Sequence, residues 1–259
     1  MLSSQSIWAT NILFLNDENE FEHFIKVIID AIGSKYPYLG DGNKDQWKEE
    51  WYFAISDSIL DLEKDQYHVA CFSEFGDSLG QWRGYCPPGI GYCVGFEKNE
   101  LETIANNPSG VLHKCKYQLS VHQDNANELL DTLLSQLWEK YPLGIYLDNI
   151  TKLVKENWGD FSEAIISQAC TTKDSAFTDE NEWRIVISEN KSDLKFRLGH
   201  SNIVPYTELK FNTGTFPIKQ VIIGPTPNMK LARLAIQKII EKNEWEIEIK
   251  ESSVPYRSW

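Results

Sequence analysis

The chain has 259 residues, 38 acidic against 25 basic, for a net charge of -13; 42% of it is hydrophobic and 12% aromatic, with 9 Trp. That composition supports a folded core and excludes a disordered chain, while the charge repels phosphate backbones and argues against non-specific nucleic-acid binding. Five cysteines with no Cys-x-x-Cys pair exclude a disulfide framework and a zinc knuckle.

A reducing compartment follows, and with no basic, apolar leader and no run near the roughly 18 apolar residues of a membrane span, the expected location is cytoplasmic. The length favours one domain over residues 1–259.

The chain opens with a β-prone run, Ile7 to Leu15, followed by an acidic turn. Asp17 and Glu20 have capping-box spacing, with Asn16 beside them, ahead of a helix carrying Phe21, Phe24, Ile25, Ile28 and Ile29 and ending near Gly33. A second amphipathic helix is predicted across Gln46 to Leu62. Strands follow at Tyr67 to Phe72 and Tyr92 to Phe96, separated by GDSLGQWRGYCPPGIG, whose Gly and Pro density predicts an irregular loop.

A short helix is expected at Leu101 to Ala105, a strand at Leu112 to Leu119, and a helical insertion from about 125 to 170, broken at Tyr141 and Pro142. Strands are then predicted at Lys195 to Leu198, Val204 to Phe211 and Ile218 to Ile223, a helix at Met229 to Glu241, and a last strand at Trp245 to Ile249. Strands toward both ends of the chain around a helical block read as α+β, with a split or curved mixed sheet.

The densest group of chemistry is TDENEWRIVIS, Thr178 to Ser188. Read as a strand, its period of two puts Glu180, Glu182 and Arg184 on one face. Two acids and a guanidinium in a row are costly in a dry core unless paired, and repel on an open strand, so a cleft wall suits them. They read either as paired acids for stabilising an oxocarbenium-like centre and orienting a nucleophile, or as a solvated strand edge neutralised by Arg184.

Ser73, Gln81, Trp82, Arg83 and Tyr85 form a second group at a strand end and in the following loop. Arg83 suits a phosphate and Trp82 or Tyr85 a planar ring, or the aromatics simply pack beneath the loop. Cys71 reads as buried packing. Gly89, Gly91 and Gly95, and the turn at Ile222 to Pro225, are weak phosphate cradles for which ordinary turns serve as well. His23, His68, His113, His122 and His200 lie singly without ligand spacing, so no metal is expected.

Taken together, WATNILFLNDENE, ACFSE, QWRGY, GIGYCVGF, ENEWRIVI, PYTELKF, VIIGP and SSVPYR resemble, in order and nearly end to end, a large bacterial family of unknown function. Its pattern of a His strand, a Ser strand and a Glu strand is similar to that of ADP-ribosyltransferases and related toxins. The resemblance implies an ADP-ribosyltransferase-like fold, NAD as substrate, a role as a toxin or phage-defence effector, Glu182 and Glu180 as the catalytic pair, and Ser73 on the serine strand. Arg83 would then hold the diphosphate.

The chain starts about where the family's second strand starts, so the family's His-Tyr-Thr strand has no counterpart; that points to a start codon upstream of Met1 or to a degenerate copy. The competing function is a non-catalytic sensor or protein-interaction module built on exposed aromatics and the acidic surface.

Overall fold

The computed structural model describes residues 1–259 apart from 3, 16–19, 36–53, 60–61, 63–65, 107–109, 141–149, 189–192, 200, 212–215 and 258–259. Strand β1 (Ser6–Asn11) lies between β2 (Tyr67–Ser73) and β7 (Ile203–Lys210), antiparallel to both. Outside β2 come β5 (Glu182–Ser188) and then β4 (Val111–Lys114); outside β7 comes β6 (Lys195–Leu198). The result is a six-stranded antiparallel sheet in the order β4-β5-β2-β1-β7-β6.

A second sheet has three strands, β3 (Tyr92–Phe96), β8 (Ile218–Ile223) and β9 (Glu248–Glu251), with β8 antiparallel to β3 and parallel to β9. The architecture is α+β with a split, partly mixed set of strands.

One face of the large sheet is covered by helices. In α1 (Glu20–Lys35), Phe21, Phe24, Ile25, Ile28 and Ile32 fall three or four residues apart and are all buried. They meet Ile55 and Ile59 of α2 (residues 54–59), Leu130 and Leu133 of α5 (Leu119–Lys140), and Ile165 and Ile166 of α7 (Trp158–Thr171), over Val69 and Val186 of the sheet. Each such side chain stabilises the fold by about 1.5–3 kcal/mol. The other face packs Ile7, Ala70, Ile185, Ile187 and Leu209 against Leu101, Ile104 and Ala105 of α4 (Lys98–Asn106).

The small sheet rests on Ile236 of α8 (Met229–Asn243). A relay of rings ties the sheets together. Phe72 meets Phe96 at 6.0 Å, Phe96 meets Phe211 at 6.0 Å, Phe211 meets Phe216 at 5.7 Å, and Phe216 stacks on Trp245 at 3.8 Å.

Several local expectations are corrected. The supposed loop after β2 contains a helix, α3 (Leu79–Tyr85), which turns Trp82 inward; burying that indole outweighs the low helix preference of two glycines. The strand predicted over Leu112 to Leu119 stops at Lys114, and Leu119 already begins α5. The last strand begins at Glu248 rather than Trp245, because Trp245 leaves the strand line to stack on Phe216.

The helical block between β4 and β5 comprises α5, α6 (Ile150–Glu156) and α7. The cap at Asn16, Asp17 and the Glu20 side chain, residues 46–53 of the second helix, the break at Tyr141 and Pro142, and His200 lie outside the described residues. Among the described residues, no helix is long and apolar enough to cross a membrane.

Candidate functional site

Strand β5 enters the large sheet at Glu182, which lies opposite Ser73 of β2, while Arg184 lies opposite Cys71. Alternation puts Glu182, Arg184 and Val186 on the helix-covered face and Trp183, Ile185 and Ile187 on the other. Glu180 does not belong to that row. It closes a 3-10 turn, Ser175–Glu180, and Asn181 follows in the left-handed region at φ 41° and ψ 54°. The period of two therefore fails at Glu180, which reaches the same neighbours by a turn of the backbone.

Those neighbours include a residue that the sequence pattern did not single out. Lys173 follows α7, where its N–H donates to the Lys116 carbonyl at 2.9 Å and residues 116 and 172 form a parallel bridge. Its side chain is buried, with Nζ 2.5 Å from Glu180 Oε2 and 2.6 Å from Glu182 Oε2, above the Phe177 ring at 4.9 Å. Arg184 grips the same carboxylate from the other side. Its Nε donates to Glu182 Oε1 at 2.8 Å and its Nη2 to Oε2 at 3.1 Å, while Nη1 donates to the Cys170 carbonyl at the end of α7 at 2.7 Å.

Two acids and two bases thus share a buried junction with no net charge. Such a group is tolerable in a low-dielectric setting only because nearly every donor has an acceptor.

Burial pushes the Glu182 carboxyl up, but the charge and hydrogen bonds of Arg184, then Lys173 and the Cys71 thiol, more than reverse this and bring it to about 2. Glu182 is therefore held ionised and its two oxygens are engaged. The Tyr117 hydroxyl accepts the Glu182 N–H at 2.8 Å, and burial pushes that phenol up to about 12. Glu180 is more open, its side chain 22% exposed, and its Oε1 accepts only a long bond from the Tyr85 hydroxyl at 3.4 Å. Tyr85 is in turn raised to about 12, by desolvation of its hydroxyl and then by the negative charge of Glu180 and Glu182.

On the far side of Ser73, Cys71 and Tyr85 lies a cavity of about 410 Å³ between the two sheets. Ser73, Gln81, Trp82 and Tyr85 all line it, so four of the expected ligand-binding side chains converge. Glu180 and Glu182 lie behind that wall, touching it through Tyr85 and Cys71. Ser73 fastens the two parts together, since its hydroxyl donates to the Glu180 carbonyl at 2.7 Å and accepts from the Phe75 N–H at 3.1 Å. Arg83 is outside the lining, exposed, with its guanidinium 5.1 Å from the Tyr256 ring. Cys71, expected to be buried, is exposed and part of the wall, two residues before the end of β2.

A second unanticipated residue organises the rim. Asp77 accepts from the Trp82 indole N–H at 2.8 Å, the Ser252 hydroxyl at 2.5 Å, and the Ser253 N–H and hydroxyl at 2.8 and 2.9 Å. Burial pushes its carboxyl up, yet these donors leave it below the ordinary value. The Trp82 ring then lies so close to Gly224 that a Cβ there would stand 2.9 Å from it. Close packing, rather than an anion cradle, accounts for that glycine.

Among the described residues the histidines form no ligand set. His23 Nε2 and His122 Nδ1 are 3.2 Å apart, with His122 Nε2 on the Lys116 carbonyl at 2.9 Å. Among the described residues no group of three or more His, Cys, Asp or Glu side chains is placed to hold a metal.

Residues 81–185 match the model of a family described as protein of unknown function (DUF2971). The matched stretch runs from α3 into β5, carrying Trp82, Arg83, Tyr85, Lys173, Glu180, Glu182 and Arg184, while Ser73 and Asp77 precede it. No curated protein and no solved structure matches the chain. The family match is narrower than the near end-to-end resemblance read from the sequence. It takes in the ion cluster and the inward-facing helix, so the part that the family model covers includes most of this site.

Lys173 had no legible signal, being one lysine after an apolar helix. Asp77 looked like one more turn residue in a glycine-rich stretch.

Proposed function

We propose that the chain is an ADP-ribosyltransferase-like enzyme that takes NAD into the cavity between the sheets, with Glu180 and Glu182 behind its wall as the acidic pair. A role as a toxin or phage-defence effector goes with that reading. The observation that carries it is the pairing of Ser73 with Glu182 on adjacent strands, at the edge of a cavity lined by Gln81, Trp82 and Tyr85.

The reaction breaks the bond from ribose C1′ to the nicotinamide nitrogen, whose ring takes the electron pair and becomes neutral. A nearby carboxylate stabilises the cation left at C1′, and water or an acceptor hydroxyl attacks it, giving up its proton. Glu180 suits the proton-accepting role, because its oxygens are the less engaged and Tyr85 connects it to the cavity. Glu182, saturated by Arg184 and Lys173, serves as the fixed negative charge that keeps Lys173 in place.

The saturation of Glu182 also favours the second reading, a non-catalytic interaction module, since a neutral cluster offers little surplus charge to a cation. Nicotinamide release from NAD separates the two. The enzyme predicts release by the parent and a fall of at least about 100-fold in Glu180→Gln, within the range for a general base, in a variant that far-UV circular dichroism shows to be folded at the assay temperature. Absence of both release and calorimetric NAD binding in the parent would remove the enzyme reading.

A further inference from the structure

The large sheet ends, on one side, in a strand whose two faces carry different chemistry. Among the described residues β6 has a single neighbour, β7, with Lys195 opposite Tyr206, Phe196 opposite Pro205, Arg197 opposite Val204 and Leu198 opposite Ile203. Pro205 has no N–H to give, so the hydrogen-bonded pairs of this antiparallel ladder are Lys195 with Tyr206 and Arg197 with Val204. Phe196 and Leu198 therefore turn their N–H and C=O groups away from β7, toward the open edge.

Alternation puts Phe196 and Leu198 on one face and Lys195 and Arg197 on the other. Phe196 is 64% exposed and Leu198 87%, and Ile203, beside Leu198, is 62% exposed. Uncovered apolar surface beside open backbone groups is a template for another strand.

The two bases of the opposite face differ. Lys195 Nζ is 2.7 Å from Glu208 Oε2. Arg197 has no carboxylate partner among the described residues; its Nη2 donates to Thr10 Oγ1 at 3.3 Å, its guanidinium lies 5.8 Å from the Trp8 ring, and its buried Nε has no acceptor. An incoming strand thus gains most from an acid opposite Arg197. The same bases oppose a second copy of this edge, because the antiparallel registers that keep its apolar residues on one face set Arg197 against itself or against Lys195.

We infer that β6 accepts an extended segment of a partner protein in which acidic and apolar residues alternate, added antiparallel as a further strand of the large sheet. Its apolar residues lie opposite Leu198 and Phe196 and exchange backbone hydrogen bonds with them, while the acid between them lies opposite Arg197. Main-chain bonds supply the affinity, and the alternation of charge and apolar surface supplies the selectivity. The contact is short, so binding is weak and reversible. It is independent of the enzymatic reading.

Fluorescence anisotropy of labelled peptides titrated with the full chain tests this. Acetylated Glu-Leu-Glu-Leu-Glu is expected to bind in the micromolar range, and Lys-Leu-Lys-Leu-Lys at least about fivefold more weakly. Methylating the two leucine nitrogens, whose N–H groups face β6, is expected to abolish binding, whereas methylating the central glutamate nitrogen, which faces away, leaves it unchanged. In the protein, Arg197→Glu and Leu198→Ser should each weaken binding at least about fivefold, in variants that far-UV circular dichroism shows to be folded; the methylated peptides test the parent and do not depend on either variant. No binding by the acidic peptide, equal binding by the acidic and basic peptides, two methylated peptides that bind alike, or folded variants that bind as the parent does would each overturn the proposal. So would sedimentation of the parent as a dimer that the acidic peptide leaves intact, which would assign the edge to a second copy.

Discussion

Two carboxylates beside the cavity, Glu182 and Asp77, each hold distant parts of the chain together, and they do so by different chemistry. Glu182 gathers Lys173 and Arg184, two full charges, in a place that water hardly reaches. Asp77 gathers an indole N–H, two hydroxyls and a backbone N–H, all neutral, at the half-exposed rim. Both carboxyls are held below their ordinary pKa, but for unlike reasons. Removing a neutral donor or its acceptor leaves a polar group that water can partly satisfy, whereas removing one member of a buried charge group strands its partners. The ion cluster should therefore behave as an all-or-none unit and the Asp77 hub as a set of separable contacts.

The largest expected effect follows from stranding charge. Glu182→Ala leaves Lys173 and Arg184 buried beside each other and should cost about 3–5 kcal/mol in urea unfolding. A loss below about 1 kcal/mol would mean that water reaches the cluster after all. The same residue sets an acid limit. Its folded value of about 2 lies below the ordinary 4.5, so the stability it contributes is present above the ordinary value and drains away as pH falls toward 2. The parent's urea midpoint should accordingly drop more between about pH 5 and pH 3 than that of Glu182→Gln; equal slopes would assign the acid sensitivity elsewhere.

Asp77→Ala comes next, at about 1–3 kcal/mol for the partners left unsatisfied. Its distinguishing sign is local: amide exchange at Ser253 should quicken while that of β5 stays as in the parent. The smallest effect belongs to Asn181, whose φ of 41° carries the chain from the 3-10 turn into β5. Asn181→Gly should change thermal stability by less than about 0.5 kcal/mol, and Asn181→Ala should lower it by about 1 kcal/mol. An alanine variant as stable as the parent would show that the turn relaxes without disturbing Glu180.

Much of this was legible in short stretches. The apolar run after Glu182 alternates with a period of two, and the stripe in α1 repeats at three and four, so β5 and α1 could be read from spacing. What spacing could not supply was depth. GDSLGQWRGY reads as a loop because glycine weakens helices, and it became a helix because Trp82 has an acceptor in Asp77 and a flat seat at Gly224. Glu180 looked like the strand partner of Glu182 because the two stand two positions apart, yet the left-handed Asn181 between them breaks the alternation.

The sequence by itself determined the class of fold, the order of most strands and helices, and the group of side chains from which a site could be assembled. Periodicity and composition are local properties, and they survive without knowing what lies across the sheet. Only the tertiary structure decided which charges neutralise one another. Lys173 meets Glu180 and Glu182 because α7, the turn after it and β5 converge, and Asp77 meets Ser252 because the chain's last strand returns to α3. Burial energies depend on those long-range meetings, and no pattern within a ten-residue window records them.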